Sequence, residues 1–401
     1  MQRNLFRSAV VLPLLLGLLA VALPNPAAMA QPQGTDIVFG KSIPLDSKIL
    51  KRNVNVLVWV PQGYNQSTAR YPVLYDLNSF FSFTYDCGTV ELLSRTADVP
   101  SMIVVGVPQL GHGYVPTPFE ERADTLAGAD LSIRFLKEEL IPFLDQNYRT
   151  NPLRILYGHS VGGLFTMYTM FNNPDMFAGY LAGSPWFQNN DQYWLKNIER
   201  FAKGKTLNEK YLYMTVGKGE QQLTIDTFTE LQKWMKAQEF AGLSWKSAWV
   251  EGDHGSMSGR TIYDGLPFIF SGWKVPDEIL RNADMEAVDQ HVKRNEAKWR
   301  SYGLDASSIL PEAQINAMGY NMIQRKMYDK AVEILLYNVK RFPKSFNAHD
   351  SVAEAYMTAG DKANAISHYK LAVELNPGGS DLEKRILQNS KDKLRELGEI
   401  R

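Results

Sequence analysis

The chain has 401 residues, 45% of them hydrophobic, which is enough to bury a full core and long enough for two domains. Its 43 basic residues balance its 43 acidic ones, so composition favours neither nucleic acid nor an anionic membrane surface as a partner. Cys87 is the only cysteine, which excludes an intramolecular disulfide and reads as a small buried residue.

Residues 1–30 read as a cleavable secretory signal. Arg3 and Arg7 precede the apolar run Val10 to Leu23, too short for a spanning helix, and Ala28-Met29-Ala30 offers a small-x-small cleavage site before Gln31. The mature chain is therefore expected to be periplasmic or secreted, with no membrane span. Alternation in Asn53-Val54-Asn55-Val56-Leu57-Val58-Trp59-Val60 predicts a half-solvated antiparallel strand near a sheet edge. Short, almost continuously apolar runs at 71–75 and 102–107 predict buried strands, and Gly111, Gly113, Pro116 and Pro118 mark a loop before helical spacing resumes over 126–148.

The stretch Arg154 to Tyr157 predicts a strand that stops at Gly158-His159-Ser160-Val161-Gly162-Gly163 and restarts as a helix over 164–171. A sharp strand-to-helix turn lifts Ser160 onto its tip and requires nearly side-chain-free neighbours, so Ser160 is the candidate nucleophile. Further strands are expected at 180–183, 211–216 and 245–250, with a helix over 225–240. Strands alternating with long helices imply crossover connections and a largely parallel sheet, whose ligands sit beyond the carboxyl ends of the strands.

A serine hydroxyl needs a base, usually histidine. Of six histidines, His291, His349 and His368 fall in helical patterns beyond the α/β region, and His159 adjoins the serine in a turn too tight for its side chain to reach the hydroxyl. His254, in Glu251-Gly252-Asp253-His254-Gly255 after the last predicted strand, is the first candidate, and His112 in the Gly-rich loop is the second. An acid that orients the imidazole should follow a strand between Ser160 and His254. Glu220 ends Val216-Gly217-Lys218-Gly219 and is the first choice; Asp226, or a Ser-His dyad without an acid, is the alternative, and Asp253 reads as a solvated loop residue. For the oxyanion hole, the N–H of Val161 lies at a helix start, and Asn78 or Ser79 in the loop after the first buried strand should supply the second donor. Phe80, Phe81, Phe83, Trp186 and Phe187 are candidates for a substrate pocket. No metal-ligand spacing or phosphate-binding glycine loop occurs, so no cofactor is expected.

Together, Pro72-Val73-Leu74-Tyr75, Arg122 with Asp124, Glu139-Leu140-Ile141-Pro142, Tyr148-Arg149-Thr150, the Gly158–Leu164 block and Asp253-His254-Gly255 resemble the putative esterase family of α/β-hydrolases. That family includes enterochelin esterases, feruloyl esterases, S-formylglutathione hydrolase and the mycolyl transferases. The resemblance covers roughly Asp36 to Trp273. It implies an α/β-hydrolase fold and ester hydrolysis or acyl transfer through a serine triad, and it carries Ser160 and His254 over by motif. The loop after the first buried strand departs from many members in lacking Asp-Gly.

Beyond Trp273 the expected strands stop. Superposing Pro343 on Pro377 sets a 34-residue period that aligns Gly319 with Ala353, Met322 with Tyr356, Ala331 with Ala365 and Leu335 with Tyr369. Small residues at two fixed places with a large one between them resemble tetratricopeptide repeats. The expected organisation is a signal peptide (1–30), an esterase domain (31–275), a helical connector (276–310) and a small all-α domain of two repeats with a capping helix (311–401). The repeats should pack on the esterase domain or the connector and are candidates for binding a protein partner. The leading function is a secreted serine esterase acting on a small-molecule carboxylic ester through an acyl-enzyme on Ser160. The alternatives are an acyltransferase using the same site and a non-catalytic scaffold.

Overall fold

A computed structural model of the chain describes residues 38–116, 128–304 and 306–400. The expected signal segment, Arg122, Asp124 and the side chain of His112 lie outside the described residues. Eight strands form one sheet: β1 (Lys41–Ser47), β2 (Arg52–Trp59), β3 (Tyr71–Asp76), β4 (Ile103–Gly106), β5 (Thr150–His159), β6 (Gly179–Gly183), β7 (Lys210–Gly217) and β8 (Leu243–Val250). Their spatial order is β1-β2-β4-β3-β5-β6-β7-β8. The first two strands are a hairpin, β2 runs antiparallel to β4, and every pairing from β4 to β8 is parallel. The alternation of β2 places Val54, Val56 and Val58 inside and Asn53 and Asn55 in solvent, whereas β3 and β4 are buried throughout.

Helices cover both faces. Between the strands run α1 (Ser79–Arg95), α2 (Gly128–Phe135), α3 (Ile141–Asn147), α4 (Val161–Asn172), α5 (Asn189–Lys196), α6 (Ile198–Ala202) and α7 (Gln222–Ala237), with α8 (Ser258–Ile269) after the sheet. Period-two alternation along the strands feeds two cores. Val73, Tyr75 and Leu156 meet Phe165 of α4 and Leu231 of α7 on one face; Leu74, Ile155 and Tyr157 meet Val90 of α1 and Ile262 of α8 on the other.

The second core does not end with the sheet. It continues through Trp273 and Trp299 into α9 (Asp277–Asn282), α10 (Met285–Trp299), α11 (Ala306–Ile309), α12 (Glu312–Gln324), α13 (Tyr328–Arg341) and α14 (Phe346–Ala359), followed by α15 (Lys362–Leu375) and α16 (Asp381–Glu396). Trp299 is the joint, its ring centroid 5.1 Å from Phe270 and 5.9 Å from Tyr211. Phe39–Arg401 accordingly forms one compact unit. At the period-34 positions the helices approach closely: a Cβ on Gly319 would come within 2.4 Å of Leu335, and Ala331, Ala353 and Ala365 are fully buried. A capping box of Ser380 and Glu383 starts α16.

The Glu139-x-x-Pro142 block has a local physical reason. Pro142 cannot donate to Glu138 and would crowd its carbonyl, and the chain widens into a π-turn over Leu136–Leu140, where the Ile141 N–H reaches the Leu136 carbonyl. That turn aims Glu139 at the β1–β2 connection, where Oε1 accepts the Lys48 and Ile49 N–H groups at 2.9 and 3.0 Å and Oε2 accepts the Ser47 hydroxyl. Two of the five pocket aromatics are corrected: Phe83 (9% exposed) and Phe187 (1%) are core residues, because each faces a sheet-side cluster rather than the cleft. Among the described residues no helix is long and apolar enough to cross a membrane.

Candidate active site

Ser160 sits between β5 and α4 with φ 57° and ψ −119°, a conformation that a non-glycine residue adopts only under strain. Three backbone bonds enforce it. The Ser160 N–H donates to the Gly183 carbonyl at 2.9 Å, and its own carbonyl accepts from Leu164 at 3.0 Å and Trp186 at 2.9 Å. The tightness of the turn is measurable at its glycines: a Cβ on Gly158 would lie 2.2 Å from the Gly162 carbonyl oxygen, and one on Gly163 would lie 2.8 Å from that of Gly183.

His254 follows β8 in a loop clipped to the end of β7, where the Gly219 N–H donates to the Gly252 carbonyl at 2.9 Å. Asp253 shapes this loop by accepting the Ser256 N–H (2.9 Å) and hydroxyl (2.7 Å), bonds that hold its carboxyl below the usual range. The imidazole is half exposed, and its Nδ1 lies 2.9 and 3.0 Å from the two carboxylate oxygens of Glu220, whose side chain is only 2% exposed. A carboxylate can only accept, so the Nδ1 that faces it carries a proton. Asp226 instead accepts from Gln222 on its own helix at 2.8 Å. Of the remaining histidines, His291 Nε2 lies 3.1 Å from the Trp273 carbonyl, and His349 and His368 face each other Nδ1 to Nδ1 at 2.9 Å in the C-terminal helices.

Ser160 and His254 together line both lobes of a cleft at the carboxyl edge of the sheet. One lobe, about 270 Å³, is walled by Leu77, Phe80, Phe81, Tyr114 and Val161; the other, about 580 Å³, by Trp186, Gln188, Gln221, Thr224 and Asp253. Phe80, Phe81 and Trp186 are exposed there, so these three of the five aromatics do face the cleft. The first helical bond of α4 is Leu164 to Ser160, which leaves the Val161 N–H without an intrahelical acceptor. Across the cleft, Asn78 lines the apolar lobe, its N–H donating to Asp76 Oδ1 at 2.7 Å and its Oδ1 accepting the His159 N–H at 3.2 Å. Ser79 begins α1; its hydroxyl donates to the Val107 carbonyl at 2.9 Å, away from the cleft, while its N–H belongs to the unpaired first turn.

His159 is a residue whose neighbourhood the sequence did not reveal. It is 7% exposed, its ring centroid is 4.7 Å from that of His254, and neither ring nitrogen has a hydrogen-bond partner among the described residues. Burial, helped by the adjacent His254, pushes its pKa down to about 4. On acidification the unfolded chain takes up this proton first. The native state is therefore expected to lose up to about 3 kcal/mol from this group between about pH 6.5 and 4. Asp86, raised to about 6, acts in the opposite sense over the same range, so the measurement is the difference between wild type and His159→Gln in melting temperature against pH. The variant should be the less acid-sensitive of the two; parallel curves would contradict the assignment.

The model of the family described as "Putative esterase" matches residues 47–261, more than half of the chain. Ferri-bacillibactin esterase BesA of Bacillus subtilis is 29% identical over 180 residues, covering 38% of this chain and 60% of that protein. The siderophore enterobactin esterase of Emericella nidulans is 37% identical over 104 residues, 25% of this chain and 33% of that one. The chain thus spans less than two thirds of the length of these two relatives. Among solved structures, an IroE-like serine hydrolase from Shewanella oneidensis superposes with TM-score 0.60 at 21% identity, covering 76% of this chain and 99% of that one, which is agreement in fold. With the match to the family model spanning β2 through β8, this chain belongs to the putative esterase family.

Proposed function

We infer that the protein hydrolyses carboxylic esters through an acyl-enzyme on Ser160. The observation that carries this reading is the two-oxygen contact of Glu220 with His254 Nδ1, at 2.9 and 3.0 Å, in the cleft lined by Ser160 on its strained turn. In this scheme His254 Nε2 takes the hydroxyl proton as Ser160 Oγ attacks the ester carbonyl. The resulting imidazolium is stabilised by Glu220, and the proton passes to the leaving alcohol as the C–O bond breaks. Water, deprotonated by the same nitrogen, then cleaves the acyl-serine. The N–H groups of Val161 and Ser79 would receive the oxyanion. The names of the relatives support an ester substrate, and the aromatic lobe supports an apolar or aromatic group beside the scissile bond. The N-terminal segment supports export.

A fluorophosphonate probe, which traps an activated serine, should label Ser160 stoichiometrically. A panel of chromogenic esters, with feruloyl and catecholate esters included, should rank aromatic acyl groups above short aliphatic ones. A folded protein that takes up no probe and turns over no ester would leave the scaffold reading in possession.

A further inference from the structure

Two carboxyl groups lie buried beneath the cleft, and the esterase mechanism makes no use of either. Asp76 ends β3 and Asp86 lies on α1; both side chains are fully buried. Each has one oxygen accounted for: Asp76 Oδ1 accepts the Asn78 N–H at 2.7 Å, and Asp86 Oδ2 accepts the Ser82 hydroxyl at 2.5 Å. The other two oxygens, Asp76 Oδ2 and Asp86 Oδ1, have no donor among the described residues, although the two carboxyl groups are within hydrogen-bonding reach of each other. Two buried anions in contact would repel each other and leave both oxygens unsatisfied, a state that costs several kcal/mol. A single proton between them satisfies both atoms at once.

We propose that Asp76 is a neutral carboxylic acid whose O–H donates to the Asp86 carboxylate, and that this pair positions the β3–α1 turn against the nucleophile. Burial favours the neutral form of both groups; for Asp76 the charge of Asp86 adds to it, while for Asp86, raised to about 6, the Ser82 and Asp76 hydrogen bonds it accepts offset part of the burial effect. Among the described residues, the tyrosine and cysteine groups around the pair include no counter-ion. Tyr85 and Cys87 share α1, Tyr157 of β5 donates to the Ser258 carbonyl at 3.1 Å, and Tyr114 donates to the Pro108 carbonyl at 3.0 Å. Burial raises Cys87, Tyr114 and Tyr157, so all three stay neutral. From the pair the connection to the site is continuous: Asp76 holds the Asn78 N–H, Asn78 Oδ1 holds the His159 N–H, and Ser160 follows. The proton also limits the pair to one negative charge near the place where the oxyanion would form. This catalytic consequence rests on the serine-esterase reading; the proton itself does not.

An amide can replace a neutral acid here, with its oxygen accepting from Asn78 and its nitrogen donating to Asp86. Asp76→Asn is therefore expected to keep kcat within about threefold of wild type, a barrier change well under the tenfold step. Asp76→Ala, which loosens the turn, should lower kcat about 100-fold with KM little changed. Infrared difference spectra of wild type against Asp76→Asn should show a protonated-carboxyl C=O band at mildly alkaline pH, where an ordinary aspartate is fully ionised. If that band is missing, or if a folded Asp76→Asn is as impaired as Asp76→Ala, the proposal fails. Should Asp76→Ala not fold, the Asn variant and the band still decide. If wild type turned over no ester, the band would test the proton independently of the esterase reading.

Discussion

Ser160→Ala is expected to lower kcat by about a millionfold, the cost typical of removing a triad nucleophile, while leaving the fold intact. The turn is held by the backbone bonds to Gly183, Leu164 and Trp186, none of which involves Oγ. Alanine inherits the same φ of 57°, so its melting temperature should match wild type, whereas Ser160→Gly should melt higher by relieving about 1 kcal/mol of strain. Circular-dichroism melts and active-site titration with the fluorophosphonate separate these effects. Turnover that survives in Ser160→Ala would move the chemistry elsewhere.

Glu220→Gln should lower kcat about 10⁴-fold with little change in KM, as seen when a triad acid becomes an amide. The glutamine nitrogen can donate to Nδ1 and so stabilises the tautomer whose proton sits on Nε2, where a free lone pair is needed. The same substitution withdraws the charge that stabilises the imidazolium. Asp226→Asn serves as the comparison, because its partner is Gln222 and not the histidine, and it should stay within a fewfold of wild type. Steady-state kinetics on one ester across the three proteins is sufficient. Equal rates for Glu220→Gln and wild type would mean that Ser160 and His254 work as a dyad.

Legibility in the sequence followed the range of the forces involved. The β2 hairpin strand, the buried runs of β3 and β4 and the helices after 276 were readable because alternation, continuous apolarity and the 34-residue period are local patterns. Helix ends were less so: the helix expected over 225–240 occupies Gln222–Ala237, since nothing local distinguishes its capping residues from its first turn. Phe83 and Phe187 could not be told from Phe80 and Phe81, because an aromatic residue has the same composition whether a sheet or a cleft lies beneath it.

What the chain order set out by itself was the serine turn, bounded by glycines at 158, 162 and 163, and a candidate base after β8, with the acid left open between Glu220 after β7, Asp226 and none. Those features depend on steric limits within a few residues and on crossover topology. Tertiary structure alone decided that Glu220 and not Asp226 meets His254, that His159 is buried against that imidazole, and that Asp76 and Asp86 are buried together. Each of these is a contact between segments brought together only when the sheet closes, and the direction in which a carboxylate points across such a gap is set by packing, which no local pattern encodes.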